Sequence, residues 1–322
     1  MCVTLGDIQQ AESTIKDYIK KTPLVKAPKE LSEKLHHQGQ IYFKCDNLQW
    51  TNTFKVRGAF NAILNLSPEE KKRGVVTRSL GNFAQAVAYA AQKLGIRAKI
   101  VVPNNIAPIK LQLTQKFDPE IVIAGILHEE GDAIVREIVE NEGMTMLHPY
   151  DQKNVIAGQG TAALEIYEDL PAIRNFFCPI GGGGLLSGCA TGFKTLNKDI
   201  QVIGVEPAGA ADYYNSRKAG KPTPLDHVNT IADGLRASVV GDLNWPLLQK
   251  YVDRTEIVSD KDIKIAMKYF KEKLGIITEP SGATAFASLL LHKQKLIDGD
   301  IVVFISGANV DPQMFTQWIQ EV

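Results

Sequence analysis

A lysine set between an aromatic residue and a glycine-bearing turn is the part of this sequence best suited to covalent chemistry. The run Asn52-Thr53-Phe54-Lys55-Val56-Arg57-Gly58-Ala59 follows a strand-like segment, Ile41 to Asp46. An amine held there can form a Schiff base with an aldehyde cofactor. Most lysines are solvated surface residues, so the run takes its meaning from three further stretches. These are Ser79-Leu80-Gly81-Asn82, the glycines Gly181 to Gly184, and Ser306-Gly307-Ala308-Asn309.

Pro179-Ile180-Gly181-Gly182-Gly183-Gly184-Leu185 reads as a strand, a glycine loop and a helix start. Glycines let the backbone approach a ligand and turn successive N–H groups toward it. The helix start adds a positive dipole end, which suits a phosphate dianion. No Gly-Lys-Ser/Thr follows, so this is not a Walker loop. A second candidate is Glu206-Pro207-Ala208-Gly209-Ala210-Ala211-Asp212. Carboxylates on either side of a turn, with a backbone carbonyl between them, offer hard oxygen ligands to a divalent cation. The plainer alternative is a pair of surface carboxylates.

The elements that must position these groups alternate between strand and helix patterns. Asp7 is expected to cap a helix carrying Ile8, Ala11, Ile15 and Ile19, ended by Pro23. Helices are predicted from Phe83 to Leu94, about Glu129 to Asn141, Val155 to Asp169 and Leu185 to Leu196. Strands are predicted from Ala98 to Val102, Glu120 to Ala124, Asn175 to Ile180, Ile200 to Val205 and Ile301 to Ile305. Short apolar strands between helices predict an α/β fold, with parallel sheets flanked by helices. Ligand then belongs where strand ends and helix starts converge.

At 322 residues the chain can bury a large core and is expected to divide into two domains. Its formal net charge of +0 gives no pointer to nucleic acid or a membrane surface. Cys2, Cys45, Cys178 and Cys189 lack metal-type spacing, as expected for reduced thiols of a cytoplasmic protein. The first residues lack a signal-peptide pattern, and no stretch approaches membrane-spanning length.

Taken together and in this order, the four stretches resemble the pyridoxal-phosphate enzymes of the second fold type. The similarity is to the serine/threonine dehydratase and serine racemase branch. It implies a two-domain, tryptophan synthase β-like fold. Residues 74–149 would form a small substrate-loop domain, and residues 1–73 and 150–322 the large cofactor domain. It implies that Lys55 carries the cofactor, that Phe54 packs beside the ring, and that Asn82 bonds the ring hydroxyl. Gly181, Gly182, Gly183 and Gly184 would hold the phosphate, and Ser306 would face the pyridine nitrogen. A serine there leaves the nitrogen unprotonated and the ring a weaker electron sink, which favours β-elimination over transamination. Glu206, Ala210 and Asp212 match residues that bind Mg2+ or Ca2+ in the racemase-like branch. The expected activity is dehydration and deamination of a small hydroxyamino acid such as L-threonine or L-serine. Racemisation of serine is the alternative, and a catalytically silent cofactor binder a third. The expected partners are a small amino-acid substrate and a second copy of the chain as a homodimer, with no nucleic acid and no membrane.

The sequence departs from that family at the substrate loop, Arg78-Ser79-Leu80-Gly81-Asn82-Phe83. Leu80 stands where racemases place a serine that serves the second face of Cα, and leucine cannot transfer a proton. Arg78, with Ser79 and Asn82, is a candidate substrate contact. Its guanidinium could hold a carboxylate in bidentate fashion or pair with a neighbouring acid at the domain edge.

Overall fold

The computed structural model describes residues 2–79, 81–105, 108–125, 128–291 and 296–322, and these contain ten strands in two sheets. The strands are β1 (Leu24–Lys26), β2 (Ile41–Cys45), β3 (Val75–Arg78), β4 (Ala98–Pro103) and β5 (Glu120–Ala124). They continue with β6 (Thr145–Met146), β7 (Ile173–Pro179), β8 (Gln201–Pro207), β9 (Arg254–Val258) and β10 (Asp300–Ile305). Six strands form one sheet in the order β1-β2-β10-β7-β8-β9, and four form the other in the order β5-β4-β3-β6. β1 runs antiparallel to β2, while the other pairings are parallel. Buried strands covered by helices need apolar residues on both faces, as Phe176, Phe177, Val302, Val303 and Phe304 provide. Among the described residues no helix is long and apolar enough to cross a membrane.

The first helix corrects the expected cap. It runs Leu5–Ile15 from Thr4, not from Asp7. The Thr4 hydroxyl accepts the Asp7 N–H at 3.2 Å, and the Asp7 carboxylate accepts the Thr4 N–H at 2.9 Å. Asp7 is thus the second member of a capping box, a place that an acidic residue fills as readily as the cap itself. The helix also ends at Ile15, well before Pro23.

Two helices set the position of Lys55. The helix Lys55–Leu64 packs on the helix Lys153–Asp169 through glycines. A Cβ at Gly58 would lie 2.5 Å from Gln159 Nε2, and one at Gly158 would lie 2.6 Å from the Arg57 carbonyl. Arg57 then locks the pair in place. Its guanidinium donates to Asp46 at 2.7 and 2.9 Å and to Glu165 at 2.6 and 2.9 Å. Lys44, on β2, donates to Glu165 at 2.5 Å and to the Thr22 carbonyl at 2.7 Å. Removing these charges from water is tolerable because every carboxylate faces a cation and the donors are shared out. The cluster ties the start of the lysine-bearing helix to the six-stranded sheet.

Candidate active site

Lys55 opens its helix directly beside the end of β10. The Phe54 N–H donates to the Ser306 carbonyl at 3.1 Å, and the Thr53 hydroxyl donates to the same oxygen at 3.1 Å. Thr53 also forms an isolated bridge with Gly307. The two sequence-distant runs are therefore one structural unit. Lys55 Nζ donates to the Pro149 carbonyl at 2.9 Å. It lies 5.1 Å from the Phe54 ring centroid and 5.8 Å from that of Phe83. Burial among these apolar rings lowers its pKa to about 8, with Glu279 opposing the fall. Much of the amine is therefore neutral near pH 8, the form a nucleophile or base requires.

Pro149 belongs to a strap, His148-Pro149-Tyr150-Asp151, that joins Lys55 to the glycine loop. The loop lies between β7 and the helix Gly184–Leu196, and Gly183 has φ +96°. A Cβ at Gly182 would sit 2.3 Å from the Tyr150 ring. Glycine is therefore demanded there by the strap's close approach, a reason the sequence pattern alone does not give. Gly182 C=O accepts from Gly241 N–H at 3.1 Å and from Asn244 Nδ2 at 3.0 Å. Among the described residues, no protein acceptor takes the N–H groups of Gly181, Gly182, Gly183 or Gly184. Unclaimed donors in a largely buried loop at a helix N-terminus make an anion cradle. His148 Nδ1 accepts the Asp151 N–H at 2.8 Å, which leaves any ring proton of the neutral form on Nε2. Burial lowers its pKa, keeping that neutral form dominant.

Asn82, the first residue of the helix Asn82–Leu94, reaches Glu279 and the segment after β10. Its Nδ2 donates to Glu279 Oε1 at 2.7 Å, and its Oδ1 accepts from Asn309 Nδ2 at 2.7 Å. Glu279 is only 3% exposed, and burial raises its pKa to about 8, helped by the negative charge of Asp233. Lys110 pairs with Asp233 at the edge of the same region. Glu279 was not a sequence candidate. Its signal is faint: a glutamate before Pro280, where the buried helix Pro280–Leu291 starts.

The structure places the loop candidates differently. Arg78 Nη1 donates to Asp132 at 2.6 Å, and its side chain lies against Gly131, where a Cβ would come within 2.7 Å of Nε. Contact with a substrate carboxylate would require that pairing to be exchanged. The Ser79 hydroxyl lies 3.5 Å from the Gly81 N–H. Leu80 lies outside the described residues.

The Glu206–Asp212 turn forms a second buried site. Glu206, at the end of β8, accepts the N–H groups of Tyr213 at 2.9 Å and Tyr214 at 2.7 Å. It so serves the first turn of the helix Asp212–Ala219. Glu206, Ala210 and Asp212 are all fully buried. Neither Asp212 carboxylate oxygen has a hydrogen-bond partner. The amides of Asp212, Val240 and Tyr213 lie near enough to oppose the effect of burial, which still lifts Asp212 to about 7. Burial and the neighbouring Asp212 raise Glu206 well above the usual carboxylate range. Among the described residues no group of three or more His, Cys, Asp or Glu side chains gathers as a metal centre. Any cation here would take only two side chains and lean on backbone carbonyls and water.

With this geometry in view, the chain matches a family model described as pyridoxal-phosphate dependent enzyme over residues 15–307. It is 38% identical over 319 residues to an L-threonine ammonia-lyase of Thermotoga maritima, covering 99% of this chain and 79% of that one. It is 39% identical over 312 residues to a serine racemase of Oryza sativa, covering 95% of this chain and 91% of that protein. Among solved structures, maize serine racemase aligns with a TM-score of 0.94 at 36% identity, covering 100% of this chain and 98% of that chain. The processed form of threonine deaminase isoform 2 from Solanum lycopersicum aligns with a TM-score of 0.92 at 36% identity, covering 98% and 91%.

Proposed function

We propose that this chain, which belongs to the pyridoxal-phosphate-dependent enzyme family, is an ammonia-lyase that removes water and ammonia from a small hydroxyamino acid. The observation that carries the proposal is the placing of one desolvated amine, Lys55, between an anion cradle and the Ser306 turn. The residues present fit pyridoxal phosphate. The unclaimed N–H groups of Gly181 to Gly184 suit its phosphate, Phe54 and Phe83 offer apolar rings, and Asn82 and Ser306 offer polar groups. The cofactor, when bound, withdraws electrons from the bonds at the amino acid's Cα.

Lys55 would hold the cofactor through its neutral amine, and its Nζ would be the base that takes the Cα proton. Phe54 and Phe83 keep water from that amine, which holds its pKa within reach of neutral pH. The Pro149 carbonyl orients Nζ by accepting one of its hydrogens. Ser306 would offer a bound cofactor ring a hydroxyl and no negative charge, so its side chain would not draw a proton to the ring nitrogen. Residues 74–149 form the smaller domain in this proposal, in keeping with the second sheet's span from Val75 to Met146.

Glu206, Ala210 and Asp212 would hold Mg2+ or Ca2+ as a structural ion. Two buried, unpartnered oxygens on Asp212 support this, because a buried carboxylate needs a cation or donors.

The deciding experiment measures 2-oxo acid release from L-serine, L-threonine and 3-hydroxyaspartate, alongside a visible cofactor band that bleaches with borohydride. Loss of both band and turnover in Lys55→Ala is expected. Full turnover in that variant overturns the role of Lys55, and a band without turnover on a broad hydroxyamino-acid panel favours a silent binder. A racemase is the second reading, favoured by the likeness to serine racemases. Chiral analysis of serine separates the two: D-serine formed as fast as pyruvate makes the racemase reading correct.

A further inference from the structure

The side chain of Asn82 has a fixed polarity, set by a line of residues that begins at a backbone carbonyl. Thr51 and Asn52 sit in the left-handed region, with φ +60° and +54°. This strained turn presents two carbonyls to the segment after β10. The Asn52 carbonyl accepts the Ala308 N–H at 3.0 Å, and the Thr51 carbonyl accepts from Asn309 Nδ2 at 2.9 Å. A carbonyl can only accept, so the end of Asn309 that meets Thr51 is its NH2 group. The same nitrogen lies 2.7 Å from Asn82, so the end of Asn82 that meets it is the oxygen. The NH2 of Asn82 is then left on the Glu279 side, 2.7 Å from Oε1. Each assignment follows from the one before it, and none depends on the charge of Glu279.

Glu279 is itself held firmly. Its N–H donates to the Gly307 carbonyl at 3.1 Å, and a Cβ at position 307 would come within 2.4 Å of Oε1. The carboxyl is thus wedged between the Ser306–Gly307 turn and the start of the Asn82–Leu94 helix. Apart from the contact with Asn82, its carboxyl has no other hydrogen bond among the described residues.

We propose that Glu279 and Asn309 are positioning residues that lock the amide of Asn82 in one orientation, so that Asn82 meets the cofactor ring as a hydrogen-bond donor. This rests on the cofactor assignment made above. An unpinned asparagine could turn its amide over and offer an acceptor instead, which would repel an electron-rich ring oxygen. Asn82 has two N–H donors, one given to Glu279 and one remaining, whereas its oxygen is already engaged. Through Asn82 and Gly307, Glu279 also links the start of the Asn82–Leu94 helix to the turn after β10.

The test is a thermodynamic cycle on cofactor affinity, read by absorbance titration of cofactor-free protein with pyridoxal phosphate. Asn82→Ala, Asn309→Ala and Glu279→Ala should each weaken binding by about 2- to 12-fold, the span of one hydrogen bond. Glu279→Gln keeps an acceptor oxygen and should restore wild-type affinity and band position. In the Asn82→Ala background, Glu279→Ala should cost nothing more, because its effect passes through Asn82. Equal impairment in Glu279→Gln and Glu279→Ala overturns the proposal. So does a full, additive loss on top of Asn82→Ala. If melting shows that Glu279→Ala does not fold, the Asn309→Ala cycle with Asn82→Ala decides in the same way. A wild-type protein that develops no visible band overturns the cofactor assignment, and with it this proposal, whereas a normal wild-type band with an additive cycle overturns only the latter.

Discussion

Two buried clusters of carboxylates are neutralised in different ways. Asp46 and Glu165 meet Arg57 and Lys44, and their oxygens are claimed at 2.5 to 2.9 Å by these cations and by Thr22. Glu206 and Asp212 are as deeply buried, yet no lysine or arginine pairs with either among the described residues. Glu206 is served by two backbone N–H groups, and Asp212 by none of normal geometry. The contrast teaches how the chain separates structure from supply. Where a charge locks the helix that bears Lys55, its counter-ion is built in. Near Val240 and Tyr150, the Asp212 carboxylate has no built-in counter-ion among the described residues.

The largest effect is expected from breaking the self-sufficient cluster. Arg57→Met leaves buried Asp46 without a cation and Glu165 with Lys44 alone, and should cost about 3–5 kcal/mol of stability, measured by denaturant unfolding. Near-wild-type stability would mean that water enters and the cluster is not dry. A second variant sharpens the point. Lys44→Met removes one donor of Glu165 but leaves its Arg57 contacts, so it should cost less than Arg57→Met.

The other cluster should respond to solution conditions instead. Removing divalent cations with a chelator should lower the melting temperature, and adding Mg2+ or Ca2+ should restore it. A destabilisation of 1 kcal/mol corresponds to roughly 2–4 °C in a chain of this class. Asp212→Asn should melt at the same temperature with and without chelator, since it removes the charge that recruits the ion. Arg57→Met should still respond to the chelator, because its defect lies elsewhere. A wild type indifferent to chelator and to added cation would reject the ion and leave Asp212 as a carboxyl that is protonated over part of the neutral range.

The two clusters also differ in how far the sequence discloses them. Glu206 and Asp212 stand close together after a strand, so their pairing is legible from spacing. Thr22, Lys44, Asp46, Arg57, Thr161 and Glu165 are scattered along the chain, and only the packing of two helices against β2 brings them together. The same holds at the candidate site. The glycine loop was legible because β7, loop and helix are contiguous, and the predicted helix Leu185 to Leu196 differs by one residue from the observed Gly184–Leu196. Lys55 stood out through its neighbours Phe54 and Gly58. Glu279, Asn309 and the Tyr150 strap were not legible as partners, since each acts on a residue far away in the chain. The antiparallel β1 was also missed: Leu24–Lys26 is too short to show an alternating pattern.

Lys55 supplies a third kind of buried charge, and its effect on stability should show only above neutral pH. It has neither a paired carboxylate like Arg57 nor an exposed seat, and its hydrogen bond goes to a neutral carbonyl. Burial lowers its pKa from 10.5 to about 8. The sign follows directly. A lysine whose folded pKa is depressed sheds its proton earlier than the unfolded chain does. Between about pH 8 and 10 the unfolded state binds more protons, so stability should rise with pH across that window. The same shift should appear in chemistry that needs the neutral amine. Trace acylation of cofactor-free protein, read residue by residue by mass spectrometry, should show Lys55 reactivity climbing with pH and levelling above about pH 8, while ordinary surface lysines keep climbing toward about pH 10. Exchanging Phe83 for serine admits water to the amine and should move the Lys55 plateau toward that of the surface lysines. A plateau that stays put in Phe83→Ser would assign the shift to something other than the apolar rings. A wild-type Lys55 that titrates like the surface lysines would remove the desolvated amine from the site, and with it the difference between this charge and the two clusters.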